Sequence, residues 1–205
     1  MKTYPTIARK ITDVDVYAFD KLDGSNVRAE WVRKHGSFVK FGSRKRLLGE
    51  DQGKIAIAQE LISDNYLTEL NKIFRDQRYD KVVVFFEVYG PNSFAGTHPD
   101  DVSDLRATMI DVAPYKKGIL PPKEFVRWFG HLDVPPVLYH GKPNVPFVQS
   151  VRQSTLEGMT YEGVVCKAQH KIGRPFTMFK IKSTVWLSRL KDYCGDNQKL
   201  FEMLQ

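Results

Sequence analysis

Residues 82 to 88 read Val-Val-Val-Phe-Phe-Glu-Val, an apolar, β-branched and aromatic run interrupted by one acid. A run this short, ended by Gly90-Pro91, has the pattern of a strand covered on both faces, not of a surface helix. It puts a sheet at the centre of the fold and requires other elements on either side of it. It also poses a chemical question. A carboxylate inside such a strand is costly to bury unless a cation meets it. Glu87 is therefore either half of a structural ion pair or part of a site.

A second apolar run, Val16-Tyr17-Ala18-Phe19, predicts another buried strand. Asp20-Lys21-Leu22-Asp23-Gly24 follows it, and Asp-Gly is a turn signal because Gly takes φ > 0 without strain. Lys21 is thereby set on a rigid rim at a strand end. A lysine amine is a nucleophile only when deprotonated, and partial burial and nearby cations are expected to lower its pKa. An exposed turn with a solvated lysine is the plainer reading of these residues alone.

The remaining elements follow from periodicity. Residues 27 to 33 alternate, with Val27, Ala29 and Trp31 on one face and Arg28, Glu30 and Arg33 nearer the other, as in a half-buried strand. Ser37 to Phe41 is its expected partner, with His35-Gly36 in the turn and Arg44 and Arg46 just beyond. Residues 53 to 76 switch to helical spacing and predict two helices with a break near Asp64-Asn65. Asn92 to Asp104 reads as a polar loop and Thr108 to Val112 as a short strand. A helix is expected from Pro121-Pro122 through Leu132. Pro135 to Pro146 reads as loop around a short strand at Val137-Leu138-Tyr139, and Gln153 to Met159 as a brief helix. Strands at 162–167 and 176–181 flank a turn from His170 to Pro175. Residues 184 to 203 read as helical with a break at Gly195. The mixture predicts an α+β fold of two packed antiparallel sheets with helices outside.

Charge narrows the partner. The chain of 205 residues has 31 Lys and Arg against 24 Asp and Glu, a net +7 with pI about 9.3, which favours an anionic partner, nucleic acid first. From Gly163 to Ser183 there are five basic residues and no acid. Lys180 and Lys182, two apart, share one face of a strand while Phe179 and Ile181 point to the core. Like charges side by side are unfavourable unless a polyanion lies over them. Lys171 and Arg174, in the turn, are expected to meet such a nucleic acid in a salt-dependent way. Glu162 and Lys167 are five apart and would face opposite ways along a regular strand, so a twist or bulge is needed to bring both to one site. Neither cysteine has metal-ligand spacing. No signal-peptide core or run of 18 apolar residues occurs, so a reducing, cytosolic setting without a membrane partner is expected.

Taken in order, Lys21-Leu22-Asp23-Gly24-Ser25-Asn26, Phe85 to Gly90, Glu162 to Lys167 and Phe179 to Lys182 resemble the covalent nucleotidyltransferase superfamily of polynucleotide ligases and capping guanylyltransferases. The resemblance spans roughly residues 16 to 183 and is greatest to ATP-dependent RNA ligases. It rests on Asn26, where DNA ligases and capping enzymes typically have arginine. The resemblance implies an ATP-grasp-like ligase fold, with a nucleotidyltransferase domain over 1–183 and a C-terminal helical extension of that domain over 184–205. It implies Lys21 as the nucleophile that becomes lysyl-AMP, with Lys180 and Lys182 assisting. Asp20, Leu22, Asn26, Arg44, Glu87, Ile110, Glu162, Val165 and Lys167 are the implied nucleotide-binding positions. Arg46 rivals Arg44 for the phosphate contact. Glu87 and Glu162 are the implied ligands for Mg²⁺ or Mn²⁺. Ile110 departs from the family, which usually stacks an aromatic on the base there. Either an aliphatic wall replaces the stack, or Phe85, Phe86 or Phe94 supplies it. The implied partners are ATP and RNA ends bearing 5′-phosphate and 3′-hydroxyl, for a cytoplasmic monomer active in RNA repair. The 22 residues after Ser183 are too few for an appended OB domain, so end recognition is expected to fall to a helper protein or to the domain's own basic surface. The rival readings are a minimal ATP-dependent DNA ligase, a capping-type transferase, or a non-catalytic nucleic-acid-binding relative.

Overall fold

The structure is a computed structural model. It describes the backbone of residues 1–44, 46–47, 53–90 and 104–205, and the side chains of all of these except 53–56. Eight strands lie in it: β1 (Val16–Asp20), β2 (Ser25–Val32), β3 (Ser37–Ser43), β4 (Lys81–Tyr89), β5 (Arg106–Pro114), β6 (Val137–Gly141), β7 (Gly163–Ala168) and β8 (Met178–Lys182). Five helices accompany them: α1 (Gly53–Asp76), α2 (Pro122–Phe129), α3 (Val145–Arg152), α4 (Thr184–Cys194) and α5 (Gln198–Leu204). The strands form two antiparallel four-stranded sheets, ordered β6-β1-β7-β8 and β3-β2-β4-β5. The α+β expectation holds, and β4 is an inner strand as its apolar run requires.

Alternation along each strand builds the cores. Val16, Ala18, Val164, Cys166, Phe179 and Ile181 form one apolar face of the first sheet, closed by Phe147 and Val151 of α3. In the second sheet Val27, Ala29, Trp31, Val82, Val84 and Phe86 pack beneath α1 and α2. The opposite face of β2 is also covered. Arg28 and Glu30 are only 4% and 5% exposed. Arg28 donates to the carbonyls of Met1, Lys2 and Ser43, and Glu30 pairs with Lys81. The half-buried reading of β2 is thus corrected, because the N-terminal segment lies over that face.

Two helix expectations are also corrected. Residues 53–76 are one helix without a break at Asp64-Asn65. Ala58, Ile62, Tyr66, Leu70 and Phe74 are all buried and recur every four residues, so the apolar stripe continues past the polar pair. The helix expected at 153–159 lies earlier, at 145–152. Asn144 caps it by accepting from the Phe147 amide, and Pro146 sits in the first turn, where its missing N–H costs nothing. The break at Gly195 is where α4 ends. Most of the loop expected at 92–104, including Phe94, lies outside the described residues. Among the described residues, no helix is long and apolar enough to cross a membrane.

Candidate functional site

β1 belongs to the first sheet and β2 to the second, and Lys21-Leu22-Asp23-Gly24 is the crossover between them. The crossover is tied down at both ends. The Lys21 amide donates to Gly163 O at 2.9 Å. A Cβ on Gly24 would meet Val88 O at 2.4 Å, so only glycine lets the chain pass this close to β4. Gly24 is not among the glycines at positive φ. The sequence motif therefore marks a close backbone approach, and the turn expectation is corrected in that respect.

A cavity of about 690 Å³ opens beside the crossover. Asp20 lines it from β1, Lys21 and Leu22 from the crossover and Asn26 from β2, with Arg44 and Arg46 also in the lining. Glu87, Ile110, Val165, Lys167 and Lys180 complete the set of sequence-expected residues in its wall. Asn26 and Glu87 are register partners across β2 and β4 and so share a face. The register between β4 and β5 shifts between Phe85 and Phe86, which pair with Asp111 and Met109, leaving Ile110 as the extra residue of a bulge. Such bulges re-aim a side chain, and this one turns Ile110 to the cavity. Phe85 and Phe86 are fully buried in separate cores and do not line the cavity, so the expectation that either stacks on a base is corrected. Phe94 lies outside the described residues.

Glu162 and Lys182 do not line the cavity; Glu162 meets Lys21 in its wall, and Lys182 meets Glu162. Lys21 Nζ donates to Glu162 Oε2 at 2.5 Å, and Lys182 Nζ meets Glu162 Oε1 at 2.5 Å. Glu162 precedes β7, and Gly163 behind it adopts φ 131°. A Cβ at Gly163 would come within 2.1 Å of Ile181 O. This break takes Glu162 out of the strand alternation, so it can meet Lys21 while Lys167 still faces the cavity. Lys167 donates to Asp111 Oδ2 at 2.7 Å and to Ile110 O at 2.9 Å, and Tyr4 donates to the same Asp111 oxygen. Lys182 also lies 4.0 Å from the ring centroid of Trp186, whose Nε1 donates to Asp23 at 2.8 Å.

These contacts set the charges. Burial alone would lower the Lys21 ammonium, but Glu162, Glu87 and Asp23 outweigh it and hold the amine above its ordinary value. The expected depression of Lys21 is thus corrected, because the nearest groups are carboxylates. Burial, with Lys182 and Lys21 beside it, pushes Lys180 down to about 8. Burial would raise Glu162, but Lys21 and Lys182 keep it below the usual carboxylate range. Burial, with Glu162 and Asp23 nearby, raises Glu87 to about 7, against the pull of Lys21. Burial also raises Asp20, although Thr160 donates to it through both its amide and its hydroxyl. Asp20 is only 3% exposed, so it meets the site as a buried carboxyl. Asn26 Oδ1 is buried without a hydrogen-bond donor among the described residues, an acceptor suited to a ligand.

A family profile described as RNA ligase matches residues 14–182, most of the chain. The chain belongs to the RNA ligase family. Comparison with curated protein sequences finds no match. Among solved structures, a Naegleria gruberi RNA ligase mutant with AMP and Mn has a TM-score of 0.64 at 16% identity, covering 88% of this chain and 53% of that one. A second mutant of that ligase, with ATP and Mn, has a TM-score of 0.61 at 16% identity, covering 88% and 52%. An apo mutant has a TM-score of 0.63 at 16% identity, covering 92% and 60%. At such identity the likeness is one of fold, and the chain spans little more than half the length of these structures. As a member of the RNA ligase family, the chain carries site neighbours that its motifs do not name: Tyr4, Arg9, Thr160 and Trp186. Tyr4 and Arg9 sit in an N-terminal segment without periodicity. Thr160 and Trp186 touch Asp20 and Asp23 only through the tertiary fold.

Proposed function

We propose that the chain is an ATP-dependent RNA ligase that stores AMP on Lys21. The convergence of Lys21, Asn26, Glu87, Lys167 and Lys180 on one cavity, in a chain of the RNA ligase family, carries this reading. The Naegleria ligase structures with AMP, ATP and Mn support the choice of nucleotide and ion. In the first step the Lys21 amine, having lost its proton, forms an N–P bond to the α-phosphorus of ATP. The bridging P–O bond breaks and its electron pair leaves with pyrophosphate. A 5′-phosphate oxygen of RNA then attacks the lysyl-AMP phosphorus, the N–P bond breaks, and Lys21 regains a proton. A 3′-hydroxyl attacks the activated 5′-phosphorus, gives up its proton and expels AMP.

The other residues have distinct tasks in this reading. Lys180 and Lys182 meet the charge that develops on the transferring phosphates. Asp20 orients the base, Asn26 accepts from the nucleotide, and Arg44 or Arg46 takes a phosphate. Leu22, Ile110 and Val165 form apolar wall, and Lys167 is held at that wall by Asp111 and the Ile110 carbonyl. Glu87 and Glu162 offer the hard oxygen donors that Mg²⁺ or Mn²⁺ takes, and Glu87, raised by burial beside other carboxylates, fits a site wanting a further cation. A bound divalent ion there would neutralise phosphate charge and relieve Lys21 of the carboxylates that keep it protonated. We read α4 and α5 as an extension of the same domain, and the setting as cytoplasmic, with both cysteines buried free thiols. The monomeric state and a helper protein for end recognition remain part of the proposal.

Incubation with radiolabelled ATP and Mg²⁺, followed by a denaturing gel, tests the first step. Lys21→Ala should abolish label, and Lys21→Arg should too, because a guanidinium stays protonated. Full labelling of the alanine variant would remove Lys21 from the role. Joining should require ribose at the 3′-hydroxyl end, since the 2′-OH separates RNA from DNA. Equal sealing of all-DNA and RNA-containing nicks would overturn the choice of RNA.

A further inference from the structure

A second cavity of about 810 Å³ lies against the first, and Pro5 and Thr6 line both, so the N-terminal segment is their common wall. Five cationic side chains line it: Lys2, Lys81, Lys116, Lys117 and Arg174. Glu30 is its one acid, buried and already 3.7 Å from Lys81. Among the described residues, Lys2, Lys116, Lys117 and Arg174 have no carboxylate partner. Cations gathered this way repel one another unless a polyanion lies among them.

The groove also presents an aromatic. Tyr115 is 63% exposed, with the Lys81 and Lys116 ammonium groups 5.7 Å and 5.5 Å from its ring centroid. It stands on a fixed turn. The Tyr115 amide donates to Lys81 O at 2.8 Å and the Lys117 amide to Pro114 O at 3.0 Å. Lys116 takes φ 62°, the left-handed conformation that closes the turn. An exposed ring among clustered cations is the arrangement that holds unpaired nucleic acid, the bases stacking on the ring and the phosphates meeting the cations. A duplex hides its base faces and cannot use the ring in this way.

We propose that this groove seats a single-stranded RNA segment leading to the end handled in the first cavity, an inference that rests on the RNA ligase reading above. The test titrates the full chain, without ATP, with a labelled 12-nucleotide single-stranded RNA at several salt concentrations. Tyr115→Ala should weaken binding about fivefold or more, the loss of one stacked base, while Tyr115→Phe keeps the affinity. Lys116→Ala/Lys117→Ala should flatten the plot of log affinity against log salt by about 1.4, two phosphate contacts on a single strand. Lys191→Ala/Lys199→Ala, which removes equal charge from α4 and α5, should stay within twofold of wild type. Label transfer from ATP without RNA should be unchanged in all four. Wild-type affinity in both Tyr115→Ala and the Lys116/Lys117 variant overturns the groove, as does an absence of RNA binding in the wild type or competition by duplex as strong as by single strand. A wild type that takes no label from ATP, yet binds RNA through Tyr115, overturns the ligase reading and leaves the groove.

Discussion

Glu87 carries a structural cost at the position where the proposed function gives it a chemical use. Burial raises its carboxyl to about 7, from an unfolded value of 4.5. Between these values the folded chain keeps a proton that the unfolded chain releases. Its contribution is therefore complete below about pH 4.5 and disappears as pH rises through 7. Without nucleotide or metal, the stability of wild type relative to Glu87→Gln should fall by roughly 2–3 kcal/mol across that window. Urea unfolding at a series of pH values measures it, and a difference constant with pH would mean that the carboxylate is ionised throughout. Lys182 gives a kinetic counterpart. It shares Glu162 with Lys21, so Lys182→Ala leaves that carboxylate to Lys21 alone and holds the amine protonated to still higher pH. Single-turnover adenylylation should move its pH profile upward and lose on the order of 2–4 kcal/mol of transition-state stabilisation. Lys180→Ala should shift the profile in the same direction. Unshifted profiles with normal rates would make both lysines ordinary surface charges. The motif residues were legible because their spacing is local. Tyr4, Thr160 and Trp186 were not, since each meets the site from far along the chain.

At the scale of elements, legibility followed the strength of the pattern. β4 and β7 are continuous apolar runs buried on both faces, β8 alternates near its end, and all three lie where their apolar residues predict. The break expected within α1 came from weighing Asp64-Asn65 above the stripe that Tyr66 continues, and a buried stripe outweighs two exposed polar residues. α3 is hidden in the sequence because Pro146 reads as loop, although a first-turn proline is compatible with a helix. The need for a break between Glu162 and Lys167 was legible from their spacing, but its form was not. Gly163 supplies it, at a φ and a distance from Ile181 O that exclude a side chain. Gly163→Ala should cost about 2–4 kcal/mol in chemical unfolding. It should also depress ATP labelling in the fraction that remains folded, because Glu162 loses its placement against Lys21. Near-wild-type stability and labelling would show that the β7 entry tolerates ordinary backbone.

At the scale of the whole molecule, two sheets with separate cores meet at a crossover that carries Lys21, and a helical pair beyond β8 closes the arrangement. Trp186, Leu190 and Cys194 of α4 form their own apolar cluster, against which Tyr161, Leu200 and Phe201 pack. Ser183 caps α4 at the Trp186 amide, directly after the two site lysines. From there the Trp186 indole reaches back to Asp23 in the crossover, while its ring lies against Lys182. The last helices are thus joined to the neighbours of Lys21, even though every charged residue of the motifs lies before them. Ending the chain at Ser183 keeps all of those residues but removes the indole and its hydrogen bond. The shortened chain should melt at a lower temperature than the full chain and label with ATP at least tenfold more slowly. Trp186→Phe separates the two contributions. It retains a ring beside Lys182 but removes the indole hydrogen bond to the Asp23 carboxylate, which should cost about 1–3 kcal/mol of stability. Labelling by the shortened chain at the full rate would show that residues 184–205 are an independent appendage and that Asp23 keeps its place without them.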